Sequence, residues 1–505
     1  MLELNGQSLT LEQIAAVAHG REHVSLAAAA RQRMAQSRRI VEKIVQENRT
    51  VYGINTGFGK LSDVRIEPNE LRALQLNLVR SHSCGLGNPL SIPEARAMLL
   101  LRANVLACGL SGARPVAADI LIAMLERGVT PVIPERGSVG ASGDLAPLAH
   151  LALCAIGEGE AFYDGGRRDS AAALKLAGID PLQLEVKEGL ALLNGTQAMG
   201  AVGGLALYRA NQLAQLADVA GAMSLEALRG TPVAFDERIH NARPHAGQIE
   251  VAKHLRDLLE GSEIRESHVQ NDPRVQDAYS LRCMPQVHGA VRSTLNFARS
   301  ILEIETGSAT DNPLVFADNE DVLSGGNFHG APLGMAFDYA AIALTDLISI
   351  AERRIDRLLN PDSNEDLPPF LTKHAGIASG FMMLQVTAAA LLAEAKIQCH
   401  PASADNVPTD GGKEDHVSMG MTAATKLRAV VDLCEQAIAI ELICAAEGLE
   451  HRKPLAAGQG VQAAYEIVRR HVDPLDADRS MSAEIRQLCD SIRDGEFARP
   501  GSQDL

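Results

Sequence analysis

The 505-residue sequence predicts a mainly α-helical protein, with a loop-rich N-terminal part followed by a long helical bundle. Three observations lead there. Hydrophobic residues make up 46% of the chain, ample for a sizeable core, yet aromatics supply only 3% and Trp is absent. Leu, Ala, Ile and Val must fill that interior, which suits packed helices better than a β-sandwich. Second, apolar residues recur at spacings of three and four over long stretches, as at Leu427, Val430, Val431, Leu433, Ala437 and Ile438. Third, glycine and proline break the early chain into short pieces.

Residues 1–200 are expected to form the N-terminal part, punctuated by Gly53, Gly57, Gly59, Gly85, Gly87, Pro131 and Pro134. Residues 201–505 are expected to form the bundle and the C-terminal helices. In it, 331–359, 376–398 and 417–449 are long apolar-rich segments. A helix of that kind is about 45 Å long and needs neighbours of similar length. Glycine-bearing loops are expected at 305–330, 360–380 and 400–416, and strands as a minor component. The run from Gly376 to Ala393 is long enough to span a membrane, but Ser379, Gln385, Thr387 and the lack of a basic flank favour a buried helix.

The formal net charge is −16, and no Lys/Arg cluster marks a nucleic-acid face. The eight cysteines form no Cys-x-x-Cys and no secretory segment is evident, so reduced thiols in a cytoplasmic protein are expected.

Several motifs invite chemistry and fail on spacing. GINTGFGK from Gly53 resembles a phosphate loop, but it is one residue too long and Leu61 stands where Ser or Thr should hold magnesium. His19-Gly-Arg-Glu-His23 fits a zinc pattern, but Gly20 weakens the helix that must present both histidines and no third ligand is evident. Gly140-Ala-Ser-Gly-Asp144 misplaces the second glycine of a serine-hydrolase elbow, and the two prolines of the preceding PVIPERGS suit a central strand poorly. No motif calls for a metal.

The stretch GSVGASGDLAPLAH at 137–150 leaves the backbone itself as the reagent. Ala141 and Gly143 are the smallest residues, and Gly143 has no Cβ to obstruct its own nitrogen. A fold that presses that nitrogen onto the Ala141 carbonyl would close a five-membered ring. Loss of water from the ring and from the Ser142 side chain would leave an exocyclic methylene, a strong electrophile. The spacing shows only that nothing steric forbids this.

This stretch resembles the signature of the histidine and aromatic amino-acid ammonia-lyases, whose Ala-Ser-Gly becomes 4-methylideneimidazol-5-one. YGINTGFGKL at 52–61, NLVRSHSCGLG at 77–87, NGTQAM at 194–199, VQDAYSLRCMPQVHG at 275–289, TDNPL at 310–314, SGGNFHG at 324–330 and KEDHVSMG at 413–420 also resemble family motifs, in family order. The resemblance implies a fumarase–aspartase-like helical fold, a homotetramer whose sites draw on several subunits, and no metal.

It also implies roles. Ala141, Ser142 and Gly143 would form the electrophile, which takes the substrate amine. Tyr52 would remove the β-proton, and as a phenol it must be made more acidic by its neighbours to do so near pH 7. Arg282 would grip the carboxylate. Asn194 and Tyr279 would hydrogen-bond the electrophile and the carboxylate end, while Gln276 and Phe328 would line the pocket. Phe328 also reads as plain core, although SGGNFHG is glycine-rich for that. The pair Ser81-His82 matches the histidine-lyase arrangement: His82 and Glu414 would each meet one nitrogen of an imidazole, and a phenyl ring would leave both unpaired.

Lys413 departs from the usual Gln and would favour an ionised Glu414. The implied reaction is deamination of L-histidine to trans-urocanate and ammonia. A related lyase or aminomutase on another aryl amino acid, an ergothioneine lyase, and a catalytically dead structural homologue are the competing readings.

Overall fold

The computed structural model describes residues 1–497 except Asn271 and Pro273. The chain divides into two compact units. One comprises Met1–Tyr208, Ala298–Asp338 and Pro401–Thr425; the other comprises Arg209–Phe297, Tyr339–His400 and the residues from Lys426 onward. The chain passes between them within the helices Gln197–Ala227, Met284–Thr306, Ala331–Leu359 and Gly420–Glu450, and once more just after the helix Met382–Gln398.

The first unit holds all the described strands, and they are short. Leu2–Leu4 pairs in parallel with Val24–Leu26, and Glu160–Tyr163 lies between Thr130–Pro131 and Gly166–Asp169. Two further antiparallel pairs join Leu86–Pro89 to Pro134–Arg136 and Leu314–Phe316 to Asp321–Leu323. The core of this unit is helical. Ile92–Ala107 starts at a capping box, with Ser91 and Glu94 each taking up the other's backbone amide, and nearly every residue from Glu94 on is buried. Its sequence is apolar all round, as expected of a helix packed on every side, here against Leu11–Ala18 and Pro115–Glu126 among others.

The second unit is built on segments of four long helices joined by a chain of buried polar groups. Glu441 accepts from Ser224 Oγ at 2.8 Å and from Arg354 Nη2 at 2.9 Å. Arg354 Nη1 lies 3.3 Å from His288 Nε2, and His288 Nδ1 lies 2.7 Å from Asp218 Oδ1. Burial alone would raise the Asp218 pKa, but hydrogen bonds from His254 and His288 and the charges of His288 and Arg292 hold it down at about 2.

The segment predicted at 331–359 is a helix over Ala331–Leu359, and that at 417–449 is Gly420–Glu450. The segment predicted at 376–398 begins only at Met382. Gly376 and Gly380 adopt φ of +100° and +58°, and a Cβ on Gly380 would lie 2.4 Å from the Phe370 carbonyl oxygen, so the first six residues form a turn. Nor is this helix buried as expected. Leu384, Ala388, Leu392 and Ala395 form one buried stripe, while Met383, Val386 and Ile397 are exposed. The described helix long and apolar enough to cross a membrane is instead Ala331–Leu359, and most of its apolar window is buried inside the protein. All eight cysteines are free thiols.

Candidate active site

Residues 137–144 run from the strand Pro134–Arg136 into the helix Leu145–Ala155. Several contacts fix this loop. Gly143 and Gly195 form a parallel bridge, and the Asp144 amide donates to the Gly195 carbonyl at 2.7 Å. Gly143 adopts φ +73°, and a Cβ there would lie 2.3 Å from the Gly195 carbonyl oxygen, so only glycine fits. At the other end, Ser418 Oγ donates to the Gly140 carbonyl at 3.0 Å and the Met419 amide to the Val139 carbonyl at 2.8 Å. Gly140, Gly330 and Gly420 all pack against Ser418 Oγ and Met199, leaving no volume for side chains.

Asp144 is fully buried. Its carboxylate accepts from the Met199 amide at 2.7 Å and from Ser138 Oγ at 3.0 Å. Burial raises its pKa to about 7 against the pull of those donors.

Two groups reach Ser142. Asn194 Nδ2 donates to the Ser142 carbonyl at 2.7 Å, and the Ser142 hydroxyl donates to Glu414 Oε1. The other Glu414 oxygen accepts from Thr409 Oγ1 at 2.5 Å. Asn194 follows the short helix Glu188–Leu193, whose C-terminal carbonyls meet the buried Arg102. Its guanidinium donates to the Asn194 carbonyl at 2.9 Å and to Gln197 Oε1 at 2.6 Å, and burial lowers its pKa to about 10. A cation at a helix C-terminus is well placed. The Asn194 side-chain oxygen is buried with no partner.

His82 ends the helix Leu71–His82, with Nδ1 3.0 Å from Ser81 Oγ. Burial lowers its pKa, opposed by the Leu78 carbonyl and by the charges of Glu414 and Asp410, so the ring is neutral near pH 7. Tyr52 is half-buried. Burial raises its pKa, the Gly59 amide lowers it, and the charges of Asp410, Glu414 and Asp311 raise it further. Within this chain the neighbours of Tyr52 thus act against the acidification expected from the sequence. The main cause is burial, and the charges of three carboxylates add to it.

The first unit therefore brings together Tyr52, His82, Ala141, Ser142, Gly143, Asn194 and Glu414. Phe328 belongs to the same unit and is half-buried. Gln276, Tyr279 and Arg282 belong to the second unit. There the Arg282 guanidinium stacks 4.6 Å from the centre of the Tyr279 ring and donates through Nε to the Asp277 carbonyl at 3.0 Å. Gln276 and Tyr279 are exposed. Sequence reasoning missed Gly195, Ser418, Thr409, Asp144 and Arg102. The first four sit inside or beside the motifs singled out. Gly195, Ser418 and Asp144 act on backbone groups, while Thr409 acts through its hydroxyl on Glu414, and none but Asp144 has a titratable side chain. Arg102 lies in an apolar helix with nothing local to mark it.

The chain is similar to known proteins over nearly its whole length. The family model for aromatic amino acid lyases matches residues 9–470. A histidine ammonia-lyase from Myxococcus xanthus (strain DK1622) is 55% identical over 494 residues, covering 98% of this chain and 97% of that protein. The crystal structure of histidine ammonia-lyase from Trypanosoma cruzi superposes with a TM-score of 0.91 at 43% identity, covering 98% of this chain and 94% of that one. A tyrosine aminomutase from Streptomyces globisporus superposes with a TM-score of 0.94 at 40% identity, covering 98% and 97%. The chain belongs to the aromatic amino acid lyase family.

Proposed function

We propose that this protein deaminates L-histidine to trans-urocanate and ammonia, with a methylidene-imidazolone formed by condensation of Ala141, Ser142 and Gly143. The observation that carries the reading is the meeting of Glu414, the Ser142 segment and a neutral His82 in one unit. The residues present fit the group. Gly143 has a left-handed backbone with no side chain at its nitrogen, Asn194 donates to the Ser142 carbonyl, and the unpartnered Asn194 oxygen leaves a polar atom for a ligand.

The condensed group supplies an electrophile that turns the substrate amine into a leaving group. The chain's own residues do the rest. Asn194 holds the oxygen of the condensed tripeptide and favours charge that develops there. Tyr52 takes the β-proton. Glu414 accepts from one imidazole nitrogen and His82 pairs with the other. A ring without nitrogens leaves both groups unpaired, at about 1–3 kcal/mol each. Arg282, with Tyr279 and Gln276, receives the carboxylate, and Phe328 lines the pocket.

The site is proposed to be completed in a cytoplasmic homotetramer. Exposed apolar side chains at Met335, Tyr339, Met383, Val386 and Ile397 support an assembly that covers them.

The test is turnover of L-histidine, L-tyrosine, L-phenylalanine and ergothioneine, followed by the ultraviolet absorbance of the unsaturated acid. Urocanate from histidine is expected, and preferential turnover of tyrosine would reverse the ring assignment. In the same assay His82→Leu is expected to lower kcat/KM for histidine about tenfold to a hundredfold. The aminomutase reading requires a β-amino acid product instead, which chromatography of the reaction separates from urocanate.

A further inference from the structure

The loop that carries Tyr52 and the loop that carries Glu414 are joined by one side chain. Lys60 donates its backbone N–H to Asp410 Oδ2 at 3.0 Å. Beside it Gly59 adopts φ +55°, and a Cβ on Gly59 would lie 2.1 Å from the same carboxylate oxygen, so the turn can close on Asp410 only as glycine. This turn, Gly59–Leu61, follows shortly after Tyr52 in the same loop. On the other side Asp410 is followed by Gly411 and Gly412, and all three adopt left-handed φ, of +48°, +60° and +81°. This strained turn is closed by Thr409 and Glu414, whose backbones pair as an isolated bridge, with the Thr409 amide donating to the Glu414 carbonyl at 2.9 Å. Of the three only Asp410 pays for a left-handed backbone, and the contacts that hold the loop run from Asp410 to Glu414 and so to Ser142.

We propose that Asp410 is a positioning residue. Its carboxylate latches the 58–61 turn onto the 409–414 loop, and so holds the stretch that carries Tyr52 and the loop that carries Glu414 in one register. The inference rests on Tyr52 acting as the base. Asp410 touches no substrate atom. What it needs is an acceptor at this point, and an amide oxygen serves as well as a carboxylate.

The experiment compares Asp410→Ala, Asp410→Asn, Gly59→Ala and Tyr52→Phe in the intact enzyme. It measures kcat and KM for L-histidine, the isotope effect with β-deuterated L-histidine, and the intact mass, which reports condensation of 141–143. Asp410→Ala is expected to lower kcat about tenfold to a hundredfold, because a misaimed base costs rate more than binding. KM should stay within about twofold and the β-deuterium effect should grow as proton removal becomes limiting. Gly59→Ala should reproduce this from the other side of the latch, and it decides the matter if Asp410→Ala does not fold. Asp410→Asn should restore most of the lost rate.

Parental kcat in Asp410→Ala and Gly59→Ala would overturn the latch, as would an Asp410→Asn as slow as Asp410→Ala, which would make charge the cause. Loss of turnover in Tyr52→Phe with parental turnover in Asp410→Ala removes the latch alone. Full turnover in Tyr52→Phe removes the base assignment beneath it.

Discussion

A phenol must lose its own proton before it can take one from carbon. An isolated tyrosine titrates near about pH 10, and in this chain burial and the charges of Asp410, Glu414 and Asp311 push Tyr52 higher, with only the Gly59 amide acting the other way. The basic form is therefore the minor one at neutrality, and kcat/KM is expected to rise as pH increases above 7. Glu414→Gln removes one of the negative charges. It should move the rising limb to lower pH, while lowering the plateau because the imidazole loses a charged acceptor. A pH–rate profile whose rising limb does not move in Glu414→Gln would separate Glu414 from Tyr52. At this scale the motifs made much of the site legible: Tyr52, His82, Asn194 and Glu414 each lie in a quoted stretch, and the structure gathers them in one unit. Asp410, Gly195 and Ser418 were not legible. Each acts on a backbone group far away in sequence, and no local pattern predicts which distant carbonyl or amide will arrive.

Secondary structure was read from apolar spacing, and that worked where spacing was the only signal. Ala331–Leu359 is a helix over the residues predicted. It failed where glycine was ambiguous. Gly376 and Gly380 broke a helix that periodicity continued, because both adopt left-handed φ. In the helix Gln197–Ala227 glycine serves packing instead. Its Gly203 is not a breaker. A Cβ there would lie 2.3 Å from the Phe337 ring, so the glycine permits two helices to approach closely. Gly203→Ala is accordingly expected to destabilise the protein by about 1–3 kcal/mol through overpacking, despite the better helix propensity of alanine. Urea unfolding of parent and variant measures it. A stabilised variant would mean that Phe337 yields freely and that the packing is looser than described.

For the whole molecule, a charge of −16 and a helical interior rich in Leu and Ala are compatible with the proposed assembly, in which association would cover the exposed apolar side chains. The helical class was legible because composition alone disfavours large sheets. The division into two units was not, because each unit gathers three separate stretches of chain and four of the five boundaries fall inside continuous helices. The proposed tetramer predicts a light-scattering mass of four chains, and Met383→Glu, which puts a charge into an exposed apolar stripe, should lower that mass and the activity together. A monomer with full activity would remove the assembly from the account.

The most direct test of the central claim is the intact mass of freshly purified, active protein beside that of Ser142→Ala. The account predicts an active chain lighter than its sequence mass by two waters, and an inactive variant that has not lost both. Full turnover of histidine by a chain of unreduced mass would contradict it.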